Sequence, residues 1–89
     1  MKMFCFYTDA GHGWLAVKRE FLDSLGILDK ISSYSYQKGQ TVYLEEDCDA
    51  SLFINVMKEK GWQRGIDFDW DHYYTDDYSP IRKYNRFKV

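Results

Sequence analysis

Apolar residues in this chain follow two periods, and the switch between them marks its elements. Leu52, Phe53, Val56 and Met57 sit at i, i+1, i+4 and i+5, which gathers them on one helix face. Asp49 stands just before this run, where a short acceptor side chain can take a free backbone N–H, and Asp47 adds negative charge near the same helix end. Lys58 and Lys60 fall in the last turn, and Gly61 follows as a left-handed stop. Upstream, Val42 and Leu44 alternate with Thr41, Tyr43 and Glu45, which predicts a strand over 41–46 with Val42 and Leu44 inward.

Elsewhere a period of two dominates. In residues 2–8, Met3, Cys5 and Tyr7 share one face while Phe4 and Phe6 share the other, as in an interior strand. Asp9, Ala10, Gly11, His12 and Gly13 form a tight connection to a short strand at 14–17, giving a hairpin. Phe21, Leu22 and Leu25 predict a helix over 18–25, ended by Gly26, with Ile27 and Leu28 anchoring the next loop. A polar, tyrosine-bearing strand over 31–36 turns through 37–40 into the strand at 41–46. After Gly61, Trp62 is expected to fold back onto the helix it follows.

The cleanest alternation comes last. Ile66, Phe68, Trp70, His72 and Tyr74 fall on one face of a strand, and Asp67, Asp69, Asp71 and Tyr73 on the other. A turn-rich break at 75–80 leads to Arg82, Tyr84, Arg86 and Lys88, alternating with Lys83, Asn85, Phe87 and Val89. An antiparallel hairpin between these segments sets the Asp row against the Arg/Lys row. Each opposite-charge pair contributes roughly 0.2–1 kcal/mol, and this match is expected to help fix the register. The elements make a single α+β domain over 1–89, with an antiparallel or mixed sheet of about five strands and two helices on one face. A ferredoxin-like core with an added C-terminal hairpin is the candidate topology.

Composition narrows the function classes. The net charge of −2 argues against a general nucleic-acid binder, whereas an aromatic content of 19% suits both a ring-rich core and a contact surface. Cys5 and Cys48 are too few for a disulfide scaffold and form no CxxC pair for zinc. No run is long and apolar enough to span a bilayer, and the N-terminus lacks a signal-peptide signature, so a soluble protein of a reducing cytoplasm is expected.

Four constellations carry candidate chemistry. Glu45, Glu46, Asp47 and Asp49 offer carboxylates, read as capping and a solvated turn rather than a metal site. Asp67, Asp69 and Asp71 spell DxDxD, but His72 stands where a calcium loop needs glycine and Tyr78 where it needs glutamate. Asp9 and His12 sit together at a strand end, an arrangement that serves either acid–base chemistry or a plain turn. The segment Arg82, Tyr84, Arg86, Lys88 interleaves cations with aromatics, as single-strand binders do. No metal or cofactor motif is present.

Four stretches also look familiar together: TDAGHGWLAV at 8–17, LGILDKISSYSYQKG at 25–39, TVYLEEDCDASLF at 41–53 and SPIRKY at 79–84. On these the chain resembles a group of small uncharacterised proteins carried by bacteriophages, prophages and plasmids. The resemblance implies a protein made inside a bacterial host cell by a mobile element, and binding to a host protein, defence machinery included. It carries over no activity and no residue role. The expected function is thus non-enzymatic binding of a host protein, as monomer or homodimer, through an acidic, aromatic-bearing surface. Its candidate contacts are Glu45, Glu46, Asp47, Asp76, Asp77 and Tyr78. The alternatives are a nucleic-acid module using Arg82, Tyr84, Arg86 and Lys88, and a small enzyme centred on Asp9 and His12.

Overall fold

The hairpin at the N-terminus founds the sheet. In the computed structural model, which describes residues 1–89, β1 (Lys2–Thr8) pairs antiparallel with β2 (Gly13–Lys18), with Cys5 opposite Ala16 and Thr8 opposite Gly13. Helix α1 (Arg19–Ser24) follows directly, and Gly26 leaves it at φ +75°. After a short 3-10 turn (Leu28–Lys30), β3 (Tyr36–Lys38) and β4 (Thr41–Glu45) form a second hairpin, whose β4 pairs antiparallel with β2. Helix α2 (Asp49–Glu59) leads to β5 (Phe68–Tyr74), and a 3-10 turn (Pro80–Lys83) leads to the two-residue β6 (Asn85–Arg86). The sheet is mixed and six-stranded, in the order β5-β1-β2-β4-β3-β6.

Alternation decides what each sheet face meets. Phe4, Leu15, Val17, Val42, Leu44 and Phe68 point to the side where Leu22 of α1 and Ala50, Phe53 and Met57 of α2 complete the core. Both helices therefore pack on one face of an α+β sheet. The rings of Phe4, Phe21 and Phe53 meet at centroid distances of 5.3–6.0 Å. Trp62 turns back into the core, its ring 6.0 Å from that of Phe21 on α1, where the helix it follows was the expected partner. No helix is long and apolar enough to cross a membrane.

Gly61 shows a local rule deciding a boundary. Its φ is +89°, and the N–H of Trp62 then reaches the carbonyl of Met57 at 3.0 Å. A Cβ on Gly61 would meet nothing within 4 Å, so only backbone conformation opposes a side chain there. Gly61→Ala is expected to cost about 1 kcal/mol in urea unfolding, with unchanged far-UV circular dichroism.

The expected C-terminal hairpin does not form. β5 pairs instead in parallel with β1 along its whole length, Lys2 opposite Phe68 through Thr8 opposite Tyr74, and β6 pairs with β3. Burial outweighs the surface charge match: pairing with β1 places Phe68 wholly in the core and Trp70 against it, whereas exposed ion pairs contribute little. Asp69 takes Arg64 as its ion partner at 3.0 Å, and Asp67 accepts the N–H of Gln63. Ile66, expected on the strand, lies before it and is exposed.

Residues 79–84 form a strap across the sheet face opposite the helices. Pro80 cannot donate to a ladder, and Ser79 Oγ accepts the N–H of Ile81, so a 3-10 turn replaces the expected strand. The Arg82 guanidinium lies 5.5 Å from the Trp14 ring, and the Tyr84 ring 5.2 Å from that of Tyr43. Trp14 and Ile81 are accordingly buried, although neither belongs to the main core cluster. Phe87 then returns to that core.

The strand expected at 31–36 is also replaced, over most of its length, by a turn. Ser32, with its N–H and hydroxyl, and Ser35, with its hydroxyl, bond the carboxylate of Asp49. Local side-chain bonds of this kind compete with a sheet ladder, and β3 begins only at Tyr36. Asp49 is thereby removed from its expected capping role: Cys48 takes the N-cap position without a side-chain bond. Glu45 orders the turn before the helix instead, its Oε2 accepting the N–H groups of Asp47 and Cys48 at 3.0 and 2.9 Å.

Candidate functional site

Three turns meet at the end of the sheet where β1 and β4 finish and β2 begins. The β1–β2 turn is closed by the N–H of Asp9 on the carbonyl of His12, and the carbonyl of Gly13 accepts the N–H of Glu46. Gly13 sits in a crowded place: a Cβ there would come 2.7 Å from Glu46 Oε2 and 2.9 Å from Phe6 Cζ, so both side chains would have to shift. The strap joins the same end, because the N–H of Thr75 bonds the carbonyl of Thr8 and the N–H of Ser79 bonds Asp9 Oδ2.

Asp9 is the hub of this end. Its buried carboxylate accepts Arg82 Nε at 2.7 Å and the terminal Arg82 amine at 2.9 Å, with the N–H groups of Gly11, His12 and Ser79 at 2.9–3.0 Å. The Arg82 guanidinium, reinforced by these backbone donors, holds the carboxyl far below the usual carboxylate range despite its burial. The same ion pair raises Arg82 above its ordinary value. A carboxylate so engaged is a poor general base, since it has neither free lone pairs nor proton affinity near neutral pH.

Beside the hub lies an open groove of about 520 Å³. Trp14, Tyr34 and Tyr36 supply its aromatic lining, with the Trp14 and Tyr36 rings 6.2 Å apart and edge-on. Arg82 and Arg86 also line it, Arg86 lying 4.6 Å from the Tyr36 ring, and so do Glu45 and Asp47. His12 and Cys48 complete the rim. The Cys48 thiol is pushed up by partial desolvation and by the carboxylates of Glu45, Asp49 and Asp47, which disfavours a reactive thiolate.

The groove gathers residues that the sequence offers to separate hypotheses. Glu45 and Asp47 of the acidic set, Arg82 and Arg86 of the cationic segment, and His12 of the turn all line it. Other members stand apart. Glu46 lines an apolar cleft of about 350 Å³ between α2 and the sheet, beside Phe6 and Trp70. Asp76, Asp77 and Tyr78 are exposed in the loop that enters the strap, where the Tyr78 ring lies 4.7 Å from the Arg82 guanidinium. Tyr84 lies across the sheet against Tyr43, and Lys88 donates its N–H to Gln37. The cationic segment is therefore not one row: Arg82 is held by Asp9, and Arg86 by the carbonyl of Ser33 at 3.3 Å. His72 is exposed on the edge strand and shares a 2.6 Å hydrogen bond with the Thr8 hydroxyl.

Trp14, Tyr34 and Tyr36 were not singled out from the sequence as site residues. Their signal was a tyrosine and a tryptophan at strand positions facing away from the core. Nowhere do three or more His, Cys, Asp or Glu side chains converge in a metal-holding arrangement. Comparison of the chain with protein-family models, with curated proteins and with solved structures yields no match.

Proposed function

We propose that this is a non-enzymatic binding protein that engages another protein at the groove beside Asp9. The observation that carries this reading is the groove's makeup: an aromatic lining, arginines and carboxylates in one open depression, without a tuned catalytic group. Tyrosine, tryptophan and arginine are the residues that binding hot spots favour. Support also comes from where the familiar stretches lie. Asp9 and Trp14 belong to the first, Tyr34 and Tyr36 to the second, Glu45 to Asp49 to the third, and Ser79 and Arg82 to the fourth; all border this end of the sheet. By the same resemblance, the partner is a bacterial host protein met in the cytoplasm, with a defence component as the favoured class. The acidic rim, Glu45 and Asp47 in the groove with Asp76 and Asp77 in the loop that enters the strap, steers a basic partner surface toward the groove.

Affinity capture from nuclease-treated bacterial lysate at low and moderate salt tests the proposal. The chain is expected to retain a salt-sensitive protein. The triple change Asp47→Lys, Asp76→Lys, Asp77→Lys, all at exposed positions, is expected to slow its association roughly tenfold while leaving the melting curve in place. Equal capture by the triple variant would remove the acidic rim from the mechanism, and capture of no protein from several hosts would sink the reading.

A further inference from the structure

At the opposite end of the sheet, the β3–β4 turn and residues 83–85, where the strap's 3-10 turn ends, enclose a second open groove of about 400 Å³. Arg19, Lys38 and Lys83 line it together with the Tyr84 ring and the side-chain amides of Gln37 and Asn85, and no carboxylate is among its lining residues. We propose that this groove binds single-stranded nucleic acid, with phosphates on Arg19, Lys38 and Lys83 and a base stacked on Tyr84.

The charge here differs in sign from that of the whole chain, whose net is −2. Binding responds to the local field, so an acidic protein with a cationic groove still attracts a polyanion there. Arg19 is preorganised, its guanidinium donating to Gln37 Oε1 at 3.2 Å and to the carbonyl of Lys88 at 3.1 Å above the Phe87 ring. The Lys38 ammonium lies 4.8 Å from the Tyr84 ring centre. An incoming base takes over that ring face, and the flexible lysine stem carries the ammonium to the adjoining phosphate.

What favours nucleic acid over a small anion is the continuation of the ring surface. From Tyr84, Tyr43 is 5.2 Å away; Tyr7 follows 6.3 Å from Tyr43, and Tyr73 stacks 5.4 Å from Tyr7. This stripe crosses the face opposite the helices, and successive bases stack on such rings with little sequence preference. A phenol is uncharged at neutral pH, so the tyrosine row adds no anion against the phosphates. Asp69 and Asp71 share the face of Tyr73 on β5, so the favourable footprint is the Tyr84–Tyr43 end. Stacking requires unpaired bases, which selects single strands over duplex.

The test is fluorescence anisotropy with a labelled oligothymidylate of about twelve nucleotides, against a duplex of equal length and against heparin. Three phosphate contacts on a single strand give a log–log salt slope of about −2, so affinity falls roughly twentyfold between about 50 and about 200 mM salt. Lys38→Ala with Lys83→Ala, both exposed, is expected to reduce that slope to below about −1 in magnitude. Tyr84→Leu is expected to weaken binding roughly tenfold at unchanged slope. No binding of the single strand at low salt overturns the proposal. So does equal binding of duplex or heparin, or an affinity indifferent to both variants with their folds intact by circular dichroism.

Discussion

Asp9→Asn is expected to lower stability by about 3 kcal/mol at neutral pH, a drop of roughly 10–20 °C in melting temperature. The substitution keeps size and shape. It replaces one acceptor oxygen with an NH₂ group that must face donors already aimed at that position, Arg82 and either Ser79 or the β1–β2 turn. The side chain of Asp9 is 1% exposed, so water cannot take over, while Arg82 at 27% can reach solvent once released. Most of the cost therefore arises at the carboxylate site. Local consequences follow from what Asp9 ties together. The N–H of Ser79 starts the strap, and Arg82 lies over Trp14, so backbone hydrogen exchange should rise in residues 79–84 before it rises in β1 or β4.

The pH dependence has a definite sign. Asp9 titrates well below its ordinary value of 3.8 when folded, so its contribution is fully present above that value. It is lost as pH falls toward the folded pKa. The stability gap between the parent protein and Asp9→Asn should accordingly stay constant from neutral pH to about pH 5 and narrow below about pH 4. Urea unfolding of both proteins across that range checks this. A gap that stays constant down to the most acid conditions would show that charge on Asp9 is not what holds the strap.

Much of the fold was legible because its strongest signals are local. The helix at Asp49–Glu59 follows from apolar spacing and from Gly61, and β1, β2 and β4 follow from alternation. Pairing was less legible, because alternation says which face is buried but not which strand lies alongside. Asp67, Asp69 and Asp71 offered a charge match with Arg82, Arg86 and Lys88. The choice was made instead by β1, whose two apolar faces mark it as an interior strand with a second edge to pair, while alternation does not say which strand fills that edge. The groove was legible only in pieces. Glu45, Asp47, Arg82, Arg86 and His12 were each singled out, yet in rival hypotheses, and long-range pairs such as Asp9 with Arg82 are what bring them together. Asp49 misled most: its position before an apolar run suits a cap, while its real partners lie in a serine-rich turn some way upstream.

Ser35→Ala and Asp49→Ala are each expected to destabilise the fold, and together by less than the sum. Asp49 is 4% exposed and Ser35 fully buried. The Ser35 hydroxyl donates to Asp49 Oδ2 and accepts the N–H of Glu45 at 2.9 Å, so it joins the start of α2 to the end of β4. Its removal orphans that N–H and costs about 1–3 kcal/mol. Asp49→Ala strips partners from the Ser32 N–H and from two serine hydroxyls, at roughly 3 kcal/mol. Because both changes break the same bond, a double-mutant cycle should show coupling of about 1–2 kcal/mol. Strict additivity would mean that the serines are satisfied some other way. The network also sets the acidic side of the groove. Glu45 is fixed by Ser35 at its N–H, and its carboxylate in turn holds the N–H groups of Asp47 and Cys48. Ser35→Ala should therefore weaken binding at the groove, although Ser35 is buried and does not line it. In a titration of the captured partner, Ser35→Ala should reduce affinity while Gly61→Ala, which perturbs only the far end of α2, leaves it unchanged. Equal effects from the two would assign the loss to global stability and not to the position of Glu45 and Asp47.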